Sequence, residues 1–337
     1  MKTGILLINL GTPDSPSTSD VRKYLREFLM DERVIDIPVV NRFFLINGII
    51  APFRAPKSAK VYKELWQEDG SPLLIYGKEV KKLLQDRLGS DYKVVLGMRY
   101  QNPTMKEAVD ELAGLGLNNI VIIPLFPQYA SASTGSAIED AMKYIGKWQV
   151  IPELKIISKF FDHPLFIKAF AARGRAYMQK EDFDHFLFTY HGIPERQIKK
   201  SSVDSYCQIN DKCCAKYHSK NRHCYRAQCY ETTRLLVKEL GIPEGKYTVA
   251  FQSRLGKTPW IKPYTDEMIP ELINKGAKSI LAFSPSFIAD CLETTIEGGV
   301  EYKELFEEKG GKRWQLVESL NNSEEWIDCL VEMATKN

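Results

Sequence analysis

Three unbroken apolar runs punctuate the first half of the chain: Gly4 to Pro13 (GILLINLGTP), Lys93 to Tyr100 (KVVLGMRY) and Asn119 to Pro127 (NIVIIPLFP). Rich in β-branched residues and without polar alternation, they suit strands buried on both faces of a parallel sheet. Between them the apolar spacing becomes helical. Val21, Tyr24, Leu25, Phe28 and Leu29 follow the i, i+3, i+4, i+7 rule with Asp20 placed to cap them, and Met105, Ala108, Val109 and Leu112 do the same after Thr104. The second half repeats the alternation with His185 to Pro194 (HFLFTYHGIP), Tyr247 to Ser253 (YTVAFQS) and Ser279 to Phe287 (SILAFSPSF). Lining up LNNIVIIP with AKSILAFSP, and LGTP with HGIP, gives two versions of one plan. The pattern predicts an α/β protein of two Rossmann-like, doubly wound parallel-sheet domains facing a central cleft lined by strand C-termini. The expected domains are residues 1–150 plus 311–337, with an apolar lip and a C-terminal helix, and residues 151–310, with a cysteine-rich insertion at 201–229.

Length and charge narrow the function class. A chain of 337 residues exceeds one ordinary core and fits two. Its 46 Lys and Arg nearly balance 43 Asp and Glu, and no long basic run occurs, so nucleic-acid binding has no electrostatic basis. Leu10-Gly11-Thr12-Pro13 is not a GxGxxG fingerprint and no Walker A pattern occurs, so nucleotide binding is unsupported. MKTGILLINLG leads directly into a turn and reads as a first strand rather than a signal peptide, so a cytoplasmic protein is expected. The stretch Ile37 to Phe53 (IPVVNRFFLINGIIAPF), broken by Asn41, Arg42 and Asn47, is too short and interrupted to span a membrane. It is expected to form a lip that rests on a bilayer or holds an apolar ligand.

Candidate chemistry gathers at strand ends. His191 closes an apolar run and is followed by Gly-Ile-Pro, a rigid turn that displays it. Arg99 and Tyr100 end another run. Asp290, Glu293, Glu297 and Glu301 are spaced three, four and four, which puts four carboxylates along one face of a helix. A solvated surface would account for such a stripe, but this one directly follows the buried run SILAFSPSF and so begins at the predicted cleft, where it can hand on protons or a hard cation.

GILLINLGTPDSP, VRKYLREFL, DGSPL, GMRY, FPQYASAST, YHGIPERQ, FQSRLGKTPW, PYTDE and DCLETTIE, in this order from the first strand to about Tyr302, resemble the ferrochelatase family. The resemblance implies insertion of Fe2+ into protoporphyrin IX to make protohaem, on two Rossmann-like halves that enclose the porphyrin. It assigns His191 and Glu293 as acceptors of the two pyrrole protons, Leu10, Tyr100 and Trp260 as pocket residues, and Glu297 and Glu301, with Asp290, as an acidic path for iron or protons. Arg99 and Ser71 would contact polar parts of the site. Two positions depart from relatives: Cys291 stands where some carry histidine, and Leu10 where others carry Met or Tyr. Rival readings are a chelatase for coproporphyrin or sirohydrochlorin, and a porphyrin carrier; retention of both His191 and Glu293 speaks against the carrier. The oligomeric state is left open.

Five of the seven cysteines, Cys207, Cys213, Cys214, Cys224 and Cys229, fall in one polar stretch. Without a secretory signal a disulfide framework is not expected. Zinc held by four thiolates, or with His218 or His223 replacing one, lacks the usual paired C-x2-C hooks. Some bacterial ferrochelatases carry a [2Fe-2S] cluster on cysteines inserted at this part of the chain, and four of these five would suit it. A cluster, zinc and reduced thiols stay open, as does the choice of four.

Overall fold

The computed structural model describes residues 2–254, 256 and 258–336. The chain divides into two compact units, one of Met1–Phe126, Ala130–Lys159 and Asn321–Asn337 and one of Pro127–Tyr129 and Phe160–Leu320.

In the first unit β1 (Thr3–Gly11), β2 (Tyr92–Tyr100), β3 (Asn119–Pro124) and β4 (Glu153–Ile156) form a parallel sheet in the order β2-β1-β3-β4. Ile5, Leu6, Leu7 and Ile8 in central β1 are fully buried, as expected for a strand covered on both faces. The LGTP glycine has a backbone reason. Gly11 sits at φ +107°, and a Cβ there would lie 1.9 Å from the Tyr100 carbonyl oxygen. The predicted helices occur as Thr18–Met30 and Met105–Leu112. Thr104 caps the second in a capping box with Glu107, but Ser17, not Asp20, caps the first: its side chain accepts from the Asp20 amide, and Asp20 lies in the first turn.

In the second unit β5 (His185–His191), β6 (Tyr247–Gln252), β7 (Ser279–Phe283) and β8 (Arg313–Leu316) give the parallel order β6-β5-β7-β8, the same permutation as the first sheet. The two-copy reading of the sequence is therefore realised in topology. Both crossing points differ from expectation. Strand β4 keeps the chain in the first unit up to Lys159, and β8 pairs with β7, so residues 311–320 belong to the second unit. The apolar runs also overreach their strands: β3 stops at Pro124 and β7 at Phe283, where the chain leaves the ladder and turns.

The stretch from Ile37 to Phe53 folds as a helix Val39–Phe44, a π-helical segment Leu45–Ile50 and the start of a helix Ala51–Leu65. Its polarity is inverted. Arg42 is buried and donates from Nη1 to the Ile35 and Ile37 carbonyls, while Val39, Val40, Phe43, Phe44, Ile49 and Phe53 are exposed, Phe53 at 73%. Among the described residues no helix is long and apolar enough to cross a membrane.

Candidate functional site

His191 ends β5 opposite Gln252 of β6. The next residue must be small, because a Cβ on Gly192 would stand 2.9 Å from the Gln252 carbonyl oxygen, to which the Gly192 amide donates at 2.8 Å. The tight turn brings the Gly192 carbonyl within 2.6 Å of the His191 Nδ1. A carbonyl only accepts, so Nδ1 carries the proton and the neutral ring keeps its lone pair on Nε2. The half-buried imidazole lies beside the rings of Trp260 and Phe287, at centroid distances of 6.3 and 6.4 Å. Its backbone is tied at both ends: the His191 amide donates to Ser286 Oγ at 3.3 Å, and its carbonyl accepts from the Tyr225 phenol at 2.8 Å.

The acidic stripe is carried by a π-helix, Leu292–Glu301, rather than an α-helix. Its hydrogen bonds close over five residues, so the wider turn makes the four-residue steps from Glu293 to Glu297 to Glu301 fall just short of one revolution. Asp290 lies outside the stripe, because Cys291 is the cap; its Oδ1 accepts from the Ser319 amide at 3.1 Å and binds the chain after β8 to the helix start. Glu293 is half-buried, and its carbonyl accepts from Gln252 Nε2 at 2.9 Å. Glu297 is bound by four donors: Gln252 Nε2 at 3.0 Å, the Ser253 amide at 2.9 Å, Ser253 Oγ at 2.5 Å and the Tyr302 phenol at 2.7 Å. Glu301 is exposed. Cys291 is buried, and that burial, followed by the Glu293 carboxylate, pushes its thiol well above the usual range, as suits an inert structural thiol.

Gln252 is the residue the sequence reading overlooked here. It is buried, accepts from Thr189 Oγ1 on β5, and reaches both Glu293 and Glu297, so it links the strand pair that ends in His191 to the acidic helix. A glutamine closing the apolar run YTVAFQ was the available signal, since a buried amide needs partners.

The candidates of the first unit have other tasks. Ser71 is buried and caps the helix Pro72–Leu88 by accepting from the Leu74 amide, so its hydroxyl faces the helix rather than a ligand. Tyr100 is fully buried, with its phenol donating to Asp31 Oδ2 at 2.9 Å; it is a support rather than a pocket wall. Arg99 reaches the same oxygen through Nη2 at 2.7 Å, donates from Nε to Ser136 Oγ at 2.6 Å, and stacks on the Tyr100 ring. Leu10 is half-buried at the end of β1. The unforeseen centre is Asp31. Burial raises its carboxyl pKa, but hydrogen bonds from Ser136, the Arg33 amide and Tyr100, with the Arg99 charge, outweigh this and hold it below the usual range.

Four of the five clustered cysteines are neighbours. Cys213 and Cys214 have sulfurs 3.9 Å apart, the Cys224 thiol hydrogen-bonds those of Cys207 and Cys214, and Cys207 also meets Cys213. Donation from Cys224 pulls the Cys207 and Cys214 thiols down to about 6 and pushes its own up. Cys229 is separate, fully buried beside Tyr225. His218 has other partners: Nδ1 accepts from the Lys220 amide and Nε2 pairs with the Tyr206 phenol. The sulfurs meet in pairs. Among the described residues no group of three or more His, Cys, Asp or Glu side chains is arranged to hold a metal ion.

The sequence model of the Ferrochelatase family matches residues 2–337. A Ferrochelatase of Legionella pneumophila is 49% identical over 330 residues, 98% of each chain, and one of Coxiella burnetii is 40% identical over 336 residues, 100% of this chain and 94% of its own. The fold is shared with SirB from Bacillus subtilis with Fe3+, at a TM-score of 0.54 and 10% identity over 99% of this chain and 96% of that one. It is shared as well with the sirohydrochlorin chelatase SirB in complex with cobalt, at 0.51 and 11% over the same shares. The chain belongs to the ferrochelatase family and is an enzyme of haem biosynthesis that inserts ferrous iron into a porphyrin.

Proposed function

We propose that His191 and Glu293 accept the two pyrrole N–H protons released when Fe2+ enters protoporphyrin IX. The observation that carries this is the Nδ1 contact to the Gly192 carbonyl, which leaves Nε2 as a fixed lone pair at a strand end. The balance is simple: two N–H bonds break, two Fe–N bonds form from the same nitrogens, and one proton goes to Nε2 and one to the Glu293 carboxylate. The remaining two nitrogens donate lone pairs. Trp260 supplies apolar contact to the macrocycle, and the exposed Glu301 passes protons or iron on. Glu297, with its carboxylate fully engaged, serves as an anchor of the acidic helix rather than as a relay.

Loss of protoporphyrin fluorescence on adding Fe2+ under anaerobic conditions is the test. Many turnovers are expected for the wild type, with His191→Ala and Glu293→Gln binding porphyrin but not turning over. A single stoichiometric quench would make the chain a carrier. Near-normal turnover of His191→Ala would remove His191 from the chemistry.

The thiols of Cys207, Cys213, Cys214 and Cys224 are the donor set for a [2Fe-2S] cluster, supported by their number, their pairwise contacts and the lowered pKa of Cys207 and Cys214. When bound, such a cluster supplies a covalent brace across the loop. Cys229 is left out by its place beside Tyr225. Matched iron and acid-labile sulfide in anaerobically purified protein is the expected analysis; zinc alone, or neither, would reject the assignment. The exposed aromatic and aliphatic side chains of residues 39–53 rest on a membrane surface, where an apolar substrate partitions.

A further inference from the structure

Tyr225 stands between the cysteine-rich loop and His191. It opens the helix Tyr225–Leu240, for which Cys224 is the N-cap, and it is buried. Its phenol donates to the His191 carbonyl at 2.8 Å, while the His191 amide donates to Ser286 Oγ, and the Ser286 hydroxyl meets the same phenol. Two hydroxyl groups thus fix both peptide groups of His191. Because Nδ1 is bound to the next carbonyl along the chain, the imidazole cannot turn independently: its aim follows its backbone.

The other side of Tyr225 belongs to the thiols. Cys224 touches Cys207 and Cys214. Arg226, one residue beyond Tyr225, donates from Nη1 to the Asn210 carbonyl at 3.1 Å and from Nε to the Lys262 carbonyl at 3.1 Å. Asn210 in turn holds Cys213, whose amide donates to Oδ1 at 3.1 Å and whose thiol donates to the carbonyl at 3.2 Å. Cys229, four residues after Tyr225 and so on the same helical face, packs its sulfur on the phenol. The first turn of this helix therefore carries the thiol quartet at one end of a short chain of contacts and the His191 carbonyl at the other.

We propose that Tyr225 is a positioning residue that sets the aim of His191 Nε2 through the His191 carbonyl, and that the thiol quartet acts on turnover through Tyr225. The proposal rests on His191 being a proton acceptor. A displacement of about 1 Å at a reacting group costs on the order of a hundredfold in rate, so a backbone tie is a sufficient lever.

The test compares kcat, the KM for protoporphyrin and the pH profile of kcat in the full chain. Tyr225→Phe keeps the ring and removes only the hydroxyl; kcat is expected to fall about tenfold, the loss of one buried hydrogen bond, with KM within about twofold and a displaced acid limb of the profile. Cys207→Ser, at the half-buried edge of the quartet, is expected to lower kcat in the wild type and to add little in the Tyr225→Phe background. If Tyr225→Phe does not fold, Ser286→Ala removes the other tie and is expected to move kcat and the profile in the same sense. A wild-type kcat and profile in both Tyr225→Phe and Ser286→Ala overturns the positioning role. Equal fold-losses for Cys207→Ser in the two backgrounds, or none in either, overturn the coupling. An inactive His191→Ala beside a fully active Tyr225→Phe rejects this inference alone, whereas an active His191→Ala rejects the underlying assignment and with it the inference.

Discussion

Replacing Glu297 by Gln separates an anchor from a relay. The carboxylate takes two donors on each oxygen: Ser253 N–H and the Tyr302 phenol on Oε1, Gln252 Nε2 and Ser253 Oγ on Oε2. Glutamine offers one acceptor oxygen. Whichever way its amide turns, the –NH2 faces one hydroxyl that can rotate to accept and one N–H that cannot, so at least one buried donor is left against a donor. That costs about 1–3 kcal/mol, and the loss of charge assistance on the surviving bonds brings the total to roughly 2–4 kcal/mol. Ser253 adds to the effect, since it sits at φ +64° and is held there by two of the four bonds. For a unit of this size the melting temperature should fall by roughly 5–15 °C. Gln252 would lose its hold, and with it the carbonyl of Glu293, so kcat should fall while porphyrin KM changes little. Calorimetry and the fluorescence assay on one preparation decide it. Lost turnover with an unchanged melting temperature would refute the anchor and restore Glu297 to the path of protons or iron.

Asp31→Asn should loosen Arg99 and Tyr100 and cost about 2–3 kcal/mol, read from the urea midpoint at pH 7. Because the native carboxyl is held below its usual range, that stability is present above the ordinary carboxylate pKa and is lost as pH falls through the native value; wild type and variant should converge in acid, and a constant gap would refute the account. His185, pushed down to about 4 by burial and then by the charges of Lys246 and Lys275, is neutral in the native state and pairs with Thr248 at 2.9 Å. The unfolded chain takes up the proton first, so its contribution is complete above pH 6.5 and declines as pH falls toward about 4. His185→Gln should flatten the urea midpoint between pH 7 and pH 5, and an unchanged slope would count against it. Phe43→Ser with Phe44→Ser should reduce co-sedimentation with anionic lipid vesicles, and undiminished binding would reject the membrane surface.

Local periodicity carried much of this protein in its letters. Buried parallel strands, amphipathic helices and the repetition of one plan depend on residues near each other in sequence, and the continuous apolar runs alone placed His191 at the end of a strand. The HGIP and LGTP glycines were legible for the same reason, as each serves a turn against the neighbouring strand. Only the tertiary structure decided what depends on distant pairs. The Asp31 centre joins groups from residues 31, 99, 100 and 136, the Gln252 bridge joins three elements, and the contacts among Cys207, Cys213, Cys214 and Cys224, with Cys229 set apart beside Tyr225, come from segments distant in sequence. The unit boundary is of the same kind, since β8 is too short to announce itself and is defined by pairing with β7. A hydrogen bond between remote side chains leaves no periodic trace, because each partner's type is compatible with many neighbours and the fold selects one.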